Sequence, residues 1–442
     1  MKKSRYNFIR PADGQSVLYN ARTEALAILN PEVAKLYEEN APAQIKRVHP
    51  EFYDYLRENN FLVADDFDEL EAQLAQWKES DDDPSHFSIG FNPTLCCNLR
   101  CWYCYENHEG NLNMTPDVFE RMQRLITRRM QNPELVGMSL DFFGGEPLLN
   151  FGKIGRPLIE HACREASKYE KYLSITFVTN GVLLSEDILK FLADTGHSIA
   201  FQITLDGNRE RHDSIRNTRT GGPTYNTILH NVARVLEYPE MFVTLRCNYT
   251  AESLASFADV AADISRWKEN PAIIIEHLTI DPHRVWQDHA KTTDIDIQAA
   301  DRDVRAAFKE AGVRVSVAKR ANRYRCYADR HNHLHVNFNG DVYRCTARDF
   351  TPDRSEGILT TEGEVEWNEK SAQRDAVKWN NETCRECEIY PLCCGTCSQN
   401  KLESGRTSGC EYGYSSDDKA NIITERIAWL INGAKKSSDN NI

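Results

Sequence analysis

The sequence predicts an α/β protein: a parallel sheet with helical crossovers, preceded by a small strand-and-helix module and followed by a cysteine-rich segment. Three observations carry that prediction. Between about residues 84 and 318, strand-like and helix-like runs alternate six times, which requires parallel strands joined by helices. Residues 1–83 contain no cysteine. From Cys326 onward cysteine density rises sharply, in loop-rich sequence.

At 442 residues the chain exceeds one typical core and suggests two or three domains. Lys and Arg number 53 against 66 Asp and Glu, a net charge of −13, so no nucleic-acid or anionic-membrane partner is expected. No apolar stretch follows the charged N-terminus and no run of about twenty apolar residues occurs, so neither a signal peptide nor a membrane span is expected. The 14 cysteines cluster in metal-like spacings, which fits a cytoplasmic metalloprotein better than a secreted disulfide scaffold.

In chain order, Arg5–Arg10 and Ser16–Ile28 read as strands around an Asp13-Gly14 turn, and Pro31 opens a helix over Glu32–Glu39. His49–Asn59 and Phe67–Lys78 read as helices, and Asp81-Asp82-Asp83-Pro84 as a linker. The strand His86–Asn92 delivers a cysteine loop, after which Thr115 caps a helix running to Asn132. Strands over Met138–Phe143, Leu173–Thr179, Ser198–Leu205, Met241–Asn248 and Ala272–Thr279 then alternate with helices over Gly152–Lys168, Ser185–Thr195, Thr224–Leu236, Glu252–Trp267 and Ala299–Ala311. Sites in such sheets form at the carboxyl ends of the strands. Asn339-Gly340 signals a type I′ hairpin between Leu334–Phe338 and Val342–Cys345. A last helix over Asn421–Asn432 precedes a disordered tail, Lys435–Ile442.

In the cysteine loop, Cys97, Cys101 and Cys104 stand three and then two residues apart. Three thiolates this close can converge on one metal centre. Four-iron clusters as a rule take four cysteines, so three suggest an iron left open for a cofactor or substrate. Zinc ligands usually come as two separated pairs, and no second pair follows within about two hundred residues. With Tyr103 just before the third cysteine, the spacing resembles the signature of the radical S-adenosylmethionine (SAM) enzymes, in which the open iron chelates the amino and carboxylate groups of SAM.

That resemblance implies a partial (β/α)6 TIM-like barrel over residues 84–318, and cluster-ligating, catalytic roles for Cys97, Cys101 and Cys104. It also implies SAM contacts at Tyr103 and at several strand ends. Gly144-Gly145-Glu146-Pro147 resembles the family segment for the SAM amino group, its glycines letting a backbone approach a ligand closely. Asn180, in Thr179-Asn180-Gly181, follows in the family order. Thr204 and Asp206, in Thr204-Leu205-Asp206-Gly207, stand where the family faces the ribose and carboxylate of SAM, followed by His212-Asp213 and Arg216. The next strand ends Arg246-Cys247-Asn248. Cys163 and Cys247 lack partners at ligand spacing and read as packing residues, and His212-Asp213 as a capping arrangement.

The later cysteines form a second field. Cys326, Gly340 and Cys345 lead to Cys384, Cys387, Cys393, Cys397 and Cys410, seven cysteines in series beside an eighth, Cys394, and the cytoplasmic reading disfavours disulfides. The pattern resembles the SPASM extension of radical SAM enzymes, here residues 319–420, which holds two auxiliary four-iron clusters. The resemblance implies one cluster on Cys384, Cys387, Cys393 and Cys410, and another on Cys326, Cys345 and Cys397. The latter lacks an evident fourth ligand: Cys394, His331, His333 or His335 could serve, or the iron could stay open to a substrate thiolate.

Residues 1–83 resemble the winged-helix-like RiPP recognition element, which binds the leader segment of a precursor peptide; an exposed strand edge would pair with the extended peptide. A structural cap is the alternative. Together the resemblances imply a peptide maturase with three [4Fe-4S] clusters, reduced by a flavodoxin or ferredoxin. It would cleave SAM to a 5′-deoxyadenosyl radical, abstract hydrogen from a ribosomal precursor peptide and install a thioether or other crosslink. An anaerobic sulfatase-maturating enzyme, which makes formylglycine, is the second reading. Its Asp base after the second SPASM cysteine is here Thr346, and the nearest Asp is Asp349. An iron–sulfur electron carrier is the third, and would not need the strand-end loops.

Overall fold

The N-terminal strands end where a side chain takes over backbone hydrogen bonds. In the computed structural model, which describes residues 1–12, 14–110, 112–285, 297–316 and 325–439, the stretch expected as strand over Ser16–Ile28 splits in two. Asn20 Oδ1 accepts from the backbone N–H groups of Arg22 and Thr23 at 3.0 Å each, an Asx turn that breaks the strand. The strands are β1 (Lys2–Lys3), β2 (Asn7–Ala12), β3 (Gln15–Asn20), β4 (Leu26–Leu29) and β5 (Leu62–Val63). β2, β3 and β4 form an antiparallel sheet, and β1 pairs with β5. Asp13, half of the expected turn, lies outside the described residues. Helices span Pro31–Glu39, Pro42–Val48, Pro50–Glu58 and Glu69–Asp81, the second of them absent from the sequence reading.

The chain divides into two compact units: Met1–Asp82, Val317–Asp329 and Ala372–Ile442 form one, Asp83–Ser316 and Arg330–Ser371 the other. In the first unit, Tyr6, Phe8, Val17 and Tyr19 pack with Ile389, Leu392, Ile422 and Ile423. The last helix, Ser416–Asp439, continues past Lys435, where a disordered tail was the expectation; residues 440–442 of that tail lie outside the described residues.

Asp81 is no loose linker residue. It closes the helix Glu69–Asp81, is 1% exposed, and pairs with Arg325 and Lys378, themselves nearly buried. Asp81→Ala strands both cations away from water and is expected to cost about 3–5 kcal/mol of stability. Urea unfolding of the metal-free chain measures this, and a loss below about 1 kcal/mol, the worth of a surface pair, would refute it.

The second unit is organised by strands that alternate inward and outward. β6 (His86–Phe91), β7 (Gly137–Phe142), β8 (Tyr172–Thr179), β9 (Ser198–Leu205), β10 (Met241–Tyr249), β11 (Leu278–Arg284) and β12 (Arg314–Val315) lie side by side in chain order, all parallel. Phe142, Phe177 and Phe201 stack across β7, β8 and β9 at 4.4 and 5.4 Å. β11 begins six residues later than the strand expected from Ala272. The apolar run from Ala272 turns through a 3₁₀ segment, Ile275–His277, with Ile273 and Ile275 packed on the core as a strand's side chains would be.

β13 (His333–Val336) adds to the other side of β6, also in parallel, and β14 (Asp341–Tyr343), β15 (Gly357–Leu359) and β16 (Val365–Trp367) continue antiparallel. The β13–β14 connection is not a type I′ turn. Gly340 N–H donates to Asn337 O at 2.9 Å, and Gly340 takes φ +90° while Asn339 does not join it in the left-handed region. That is the pattern of a three-residue loop closed by a left-handed glycine. Among the described residues no helix is long and apolar enough to cross a membrane.

Candidate functional site

Loops leaving the carboxyl ends of β6 and β7 are locked together. Glu146 N–H donates to Cys96 O at 2.9 Å. A Cβ on Gly144 would meet Thr94 O at 2.4 Å, and one on Gly145 would meet Leu95 O at 2.3 Å and Cys96 O at 2.4 Å. The glycines therefore let the turn lie against the cysteine loop itself, a role the sequence reading gave to a ligand. Glu146 is fully buried and accepts from Thr179 Oγ1 at 2.8 Å, Asn180 N–H at 2.8 Å and Leu148 N–H at 3.0 Å. Burial pushes its carboxyl up, and these donors oppose the shift.

The cavity over these loops is lined by Cys97, Cys101, Cys104 and Tyr103, with Gly144, Gly145, Asn180 and Thr204. Glu146, Pro147 and Asp206, named as SAM contacts from sequence, do not line it. All three are buried, and Glu146 and Asp206 brace lining residues, Glu146 holding Thr179 and Asn180 and Asp206 holding Tyr103.

Tyr103 is the brace's hub. Its hydroxyl donates to Asp206 (2.9 and 2.8 Å to the two oxygens) and accepts from Arg216 Nη1 at 2.8 Å and Asn248 Nδ2 at 3.0 Å. A phenol gives one hydrogen and takes two, so the hydroxyl is saturated and only the ring is left for a ligand. Arg216 Nε lies 3.7 Å from Asp206 Oδ2, both side chains being at most 10% exposed. Burial pushes the Asp206 carboxyl up, and Arg216, Tyr103 and Asn248 oppose it. His212 is a structural link rather than a cap: Nδ1 accepts from Asp206 N–H at 3.3 Å, and Nε2 meets Thr224 Oγ1 at 3.1 Å. The capping falls to Asp213, which accepts from Thr224 and Tyr225 N–H.

The thiols fit a charged metal group. Burial pushes Cys97 and Cys104 each up to about 12, and Cys101 upward as well. Thiolates there need positive charge beyond what the chain supplies, which an iron cluster would bring. Among the described residues no three His, Cys, Asp or Glu side chains stand together as ligands for a single ion. The three thiols instead share a cavity wall, which suits a larger group. His108 adds a contact the sequence did not reveal: Nδ1 donates to Leu95 O at 2.6 Å, leaving Nε2 facing Cys104 Sγ at 3.2 Å. Glu106 also lines the cavity, its carboxyl pushed up to about 8 by burial and by Asp349. Gln202, Arg246, Asn248 and His283 also line the cavity; Arg246 and Asn248 stand at a strand's carboxyl end, whereas Gln202 lies within β9 and His283 beyond the strand expected over Ala272–Thr279.

The segment after Cys345 is stitched to the segment after Cys104. Tyr105 Oη donates to Thr346 O at 2.8 Å, and Asn107 N–H to Asp349 Oδ1 at 3.1 Å. Beneath them Asn92 Nδ2 donates to Asn337 Oδ1 at 2.9 Å.

In the first unit, Cys384, Cys387, Cys393 and Cys410 line one cavity. Cys394 does not; it packs towards Leu70, Leu74 and Trp77. Cys326 and Cys397 belong to this unit and Cys345 to the other. His333 and His335 are buried in β13, bonded to Ser88 Oγ (3.1 Å) and Asn92 Oδ1 (2.8 Å), and His335 stacks on Phe350. Those bonds tie one nitrogen of each imidazole to a neighbouring side chain on or beside β6. His331 is exposed. Cys247 is buried in β10 and Cys163 packs on the same core, as expected of packing residues.

Comparison with known proteins agrees with this geometry. Residues 91–261 match the model of the radical SAM superfamily. Radical SAM cyclopropyl synthase TigE of Paramaledivibacter caminithermalis is 29% identical over 145 residues, which cover 28% of this chain and 29% of TigE, so the match spans less than a third of that relative. The structure of anSMEcpe with bound AdoMet superposes with a TM-score of 0.58 at 18% identity, covering 79% of this chain and 99% of that one. Streptococcus suis SuiB bound to S-adenosylmethionine gives 0.52 at 15% identity, covering 91% and 97%. Other structures of these two proteins hold the Cp18Cys peptide and the precursor peptide SuiA. Residues 91–261, built around the Cys97–Cys104 loop and making up less than half of the chain, are a radical SAM domain.

Proposed function

We propose that the chain is a radical SAM maturase of a ribosomal precursor peptide, cleaving SAM reductively and installing a thioether or other crosslink. The observation that carries this reading is the single cavity uniting Cys97, Cys101 and Cys104 with Gly144, Gly145, Asn180 and Thr204. The three thiols would hold the first [4Fe-4S] cluster, which when bound with SAM supplies a 5′-deoxyadenosyl radical. The chain's own residues position: the Gly144-Gly145 turn fixes the cysteine loop, Glu146 ties it to β8, and Tyr103 anchors the arm between Cys101 and Cys104.

Cys384, Cys387, Cys393 and Cys410 would hold a second cluster, and Cys326, Cys345 and Cys397 a third. We assign residues 1–83 to leader binding, residues 84–318 to the radical SAM barrel and residues 319–420 to a SPASM domain. The edge strands of the β2–β4 sheet suit pairing with an extended peptide, and peptides are bound by anSMEcpe and SuiB. A cytoplasmic flavodoxin or ferredoxin would supply electrons. Sulfatase maturation is the second reading. Asp349, three residues beyond Thr346, acts on Glu106 in the cavity wall and so brings a carboxylate near the place where that chemistry needs a base.

Anaerobic reconstitution tests the reading. The full chain should hold about twelve irons, three clusters of four, and release 5′-deoxyadenosine from SAM under dithionite. Replacing Cys97, Cys101 and Cys104 together by Ala should remove about four irons and all of that release. Persisting cleavage would sink the assignment.

A further inference from the structure

We infer that the hydroxyls of Tyr390 and Thr396 donate hydrogen bonds to the cluster on Cys384, Cys387, Cys393 and Cys410, and that they raise its reduction potential. This rests on the proposed presence of a cluster at those four cysteines.

The cavity they share is built for a sulfur-rich anionic group. Its floor is the turn Cys393-Cys394-Gly395-Thr396, in which Cys394 takes φ +58° and Gly395 φ +82°. Two successive left-handed residues aim backbone N–H groups into one concavity. Here the Gly395 N–H faces the Cys393 sulfur and the Thr396 N–H faces the Cys384 sulfur. A cysteine in the left-handed region is strained, and the cradle it creates is what that strain secures.

Two hydroxyls on the same wall are left over. Tyr390 is 2% exposed, packs edge-to-face on Trp77 at 5.1 Å, and lies over Gly395. A Cβ at Gly395 would come within 2.9 Å of its ring and 3.6 Å of its oxygen, so the glycine makes room for the phenol. No hydrogen bond to that oxygen occurs among the described residues. Thr396 Oγ1 is buried and likewise without a partner. A buried hydroxyl is almost always satisfied, so Thr396 Oγ1 calls for an acceptor, while Tyr390 Oη stays accessible in the cavity that the four cysteines line. Cluster and cysteine sulfurs are acceptors. Reduction adds negative charge to them, so each donor stabilises the reduced state more than the oxidised one.

The experiment is a redox titration, followed by electron paramagnetic resonance, of the reconstituted full chain. The Cys97, Cys101 and Cys104 to Ala background removes the overlapping first cluster. Tyr390→Phe, which keeps the ring on Trp77, and Thr396→Val should each retain full iron content and move one midpoint to more negative potential. The double variant should show the sum, and Thr396→Ser should restore the original value. Unchanged midpoints with iron intact would overturn the inference and leave the proposed function standing. If Cys384→Ala and Cys410→Ala lose no iron, the cluster itself is absent, and the inference falls together with the assignment of a cluster to those four cysteines.

Discussion

Gly145→Ala is expected to leave the proposed first cluster site underfilled and to cut SAM cleavage by about a hundredfold or more. The added methyl would sit 2.3 and 2.4 Å from two backbone carbonyls, neither of which can swing aside as a side-chain tip can. The turn must then retreat from the cysteine loop, breaking the 2.9 Å bond from Glu146 N–H to Cys96 O and shifting the thiols. A displacement of about 1 Å costs about a hundredfold in rate where geometry governs chemistry. Gly152→Ala is the control, because nothing lies within 4 Å of a Cβ there. Iron per chain and 5′-deoxyadenosine release measure both. Wild-type values for Gly145→Ala would refute the account of the turn.

Arg216→Ala is expected to destabilise the second unit by about 3–5 kcal/mol, because it leaves Asp206 buried and unpaired. It also takes from Tyr103 one of the two hydrogens its hydroxyl accepts. The double variant Arg216→Met with Asp206→Leu should recover much of the stability, since apolar residues replace a buried pair at little cost. It should not recover SAM cleavage, because Tyr103 then keeps only the Asn248 bond. Urea unfolding of the metal-free chain, beside turnover of the reconstituted one, separates the two effects. Recovery of both would show that the pair acts only through stability.

Local patterns were legible in the sequence, and meetings at a distance were not. The cysteine loop and the strand order declare themselves through spacing and period-two burial, which need no knowledge of neighbours. The brace of Tyr103, Asp206, Arg216 and Asn248 is assembled from four separated segments, and nothing in any one of them announces the others. Asp81 looked like linker because three aspartates before a proline are usually solvated, yet Arg325 and Lys378 arrive from far along the chain to bury it. The glycines of the Gly144-Gly145 turn were visible, but the partner that required them was the backbone of Thr94, Leu95 and Cys96, far earlier in the chain and not in the motif itself. The sixth strand was misplaced because an apolar run at a 3₁₀ turn carries the same composition as a strand.

The bonds from Tyr105 to Thr346 and from Asn107 to Asp349 remove a degree of freedom that two separate loops would have. Each loop carries a cysteine assigned to a different metal group, and each leaves a strand neighbouring or continuing from the β6–β13 pair. The interval between Cys104 and Cys345 is thus set by the pitch of a sheet and two short crosslinks, as by a ruler, and is insulated from the length of the chain between them.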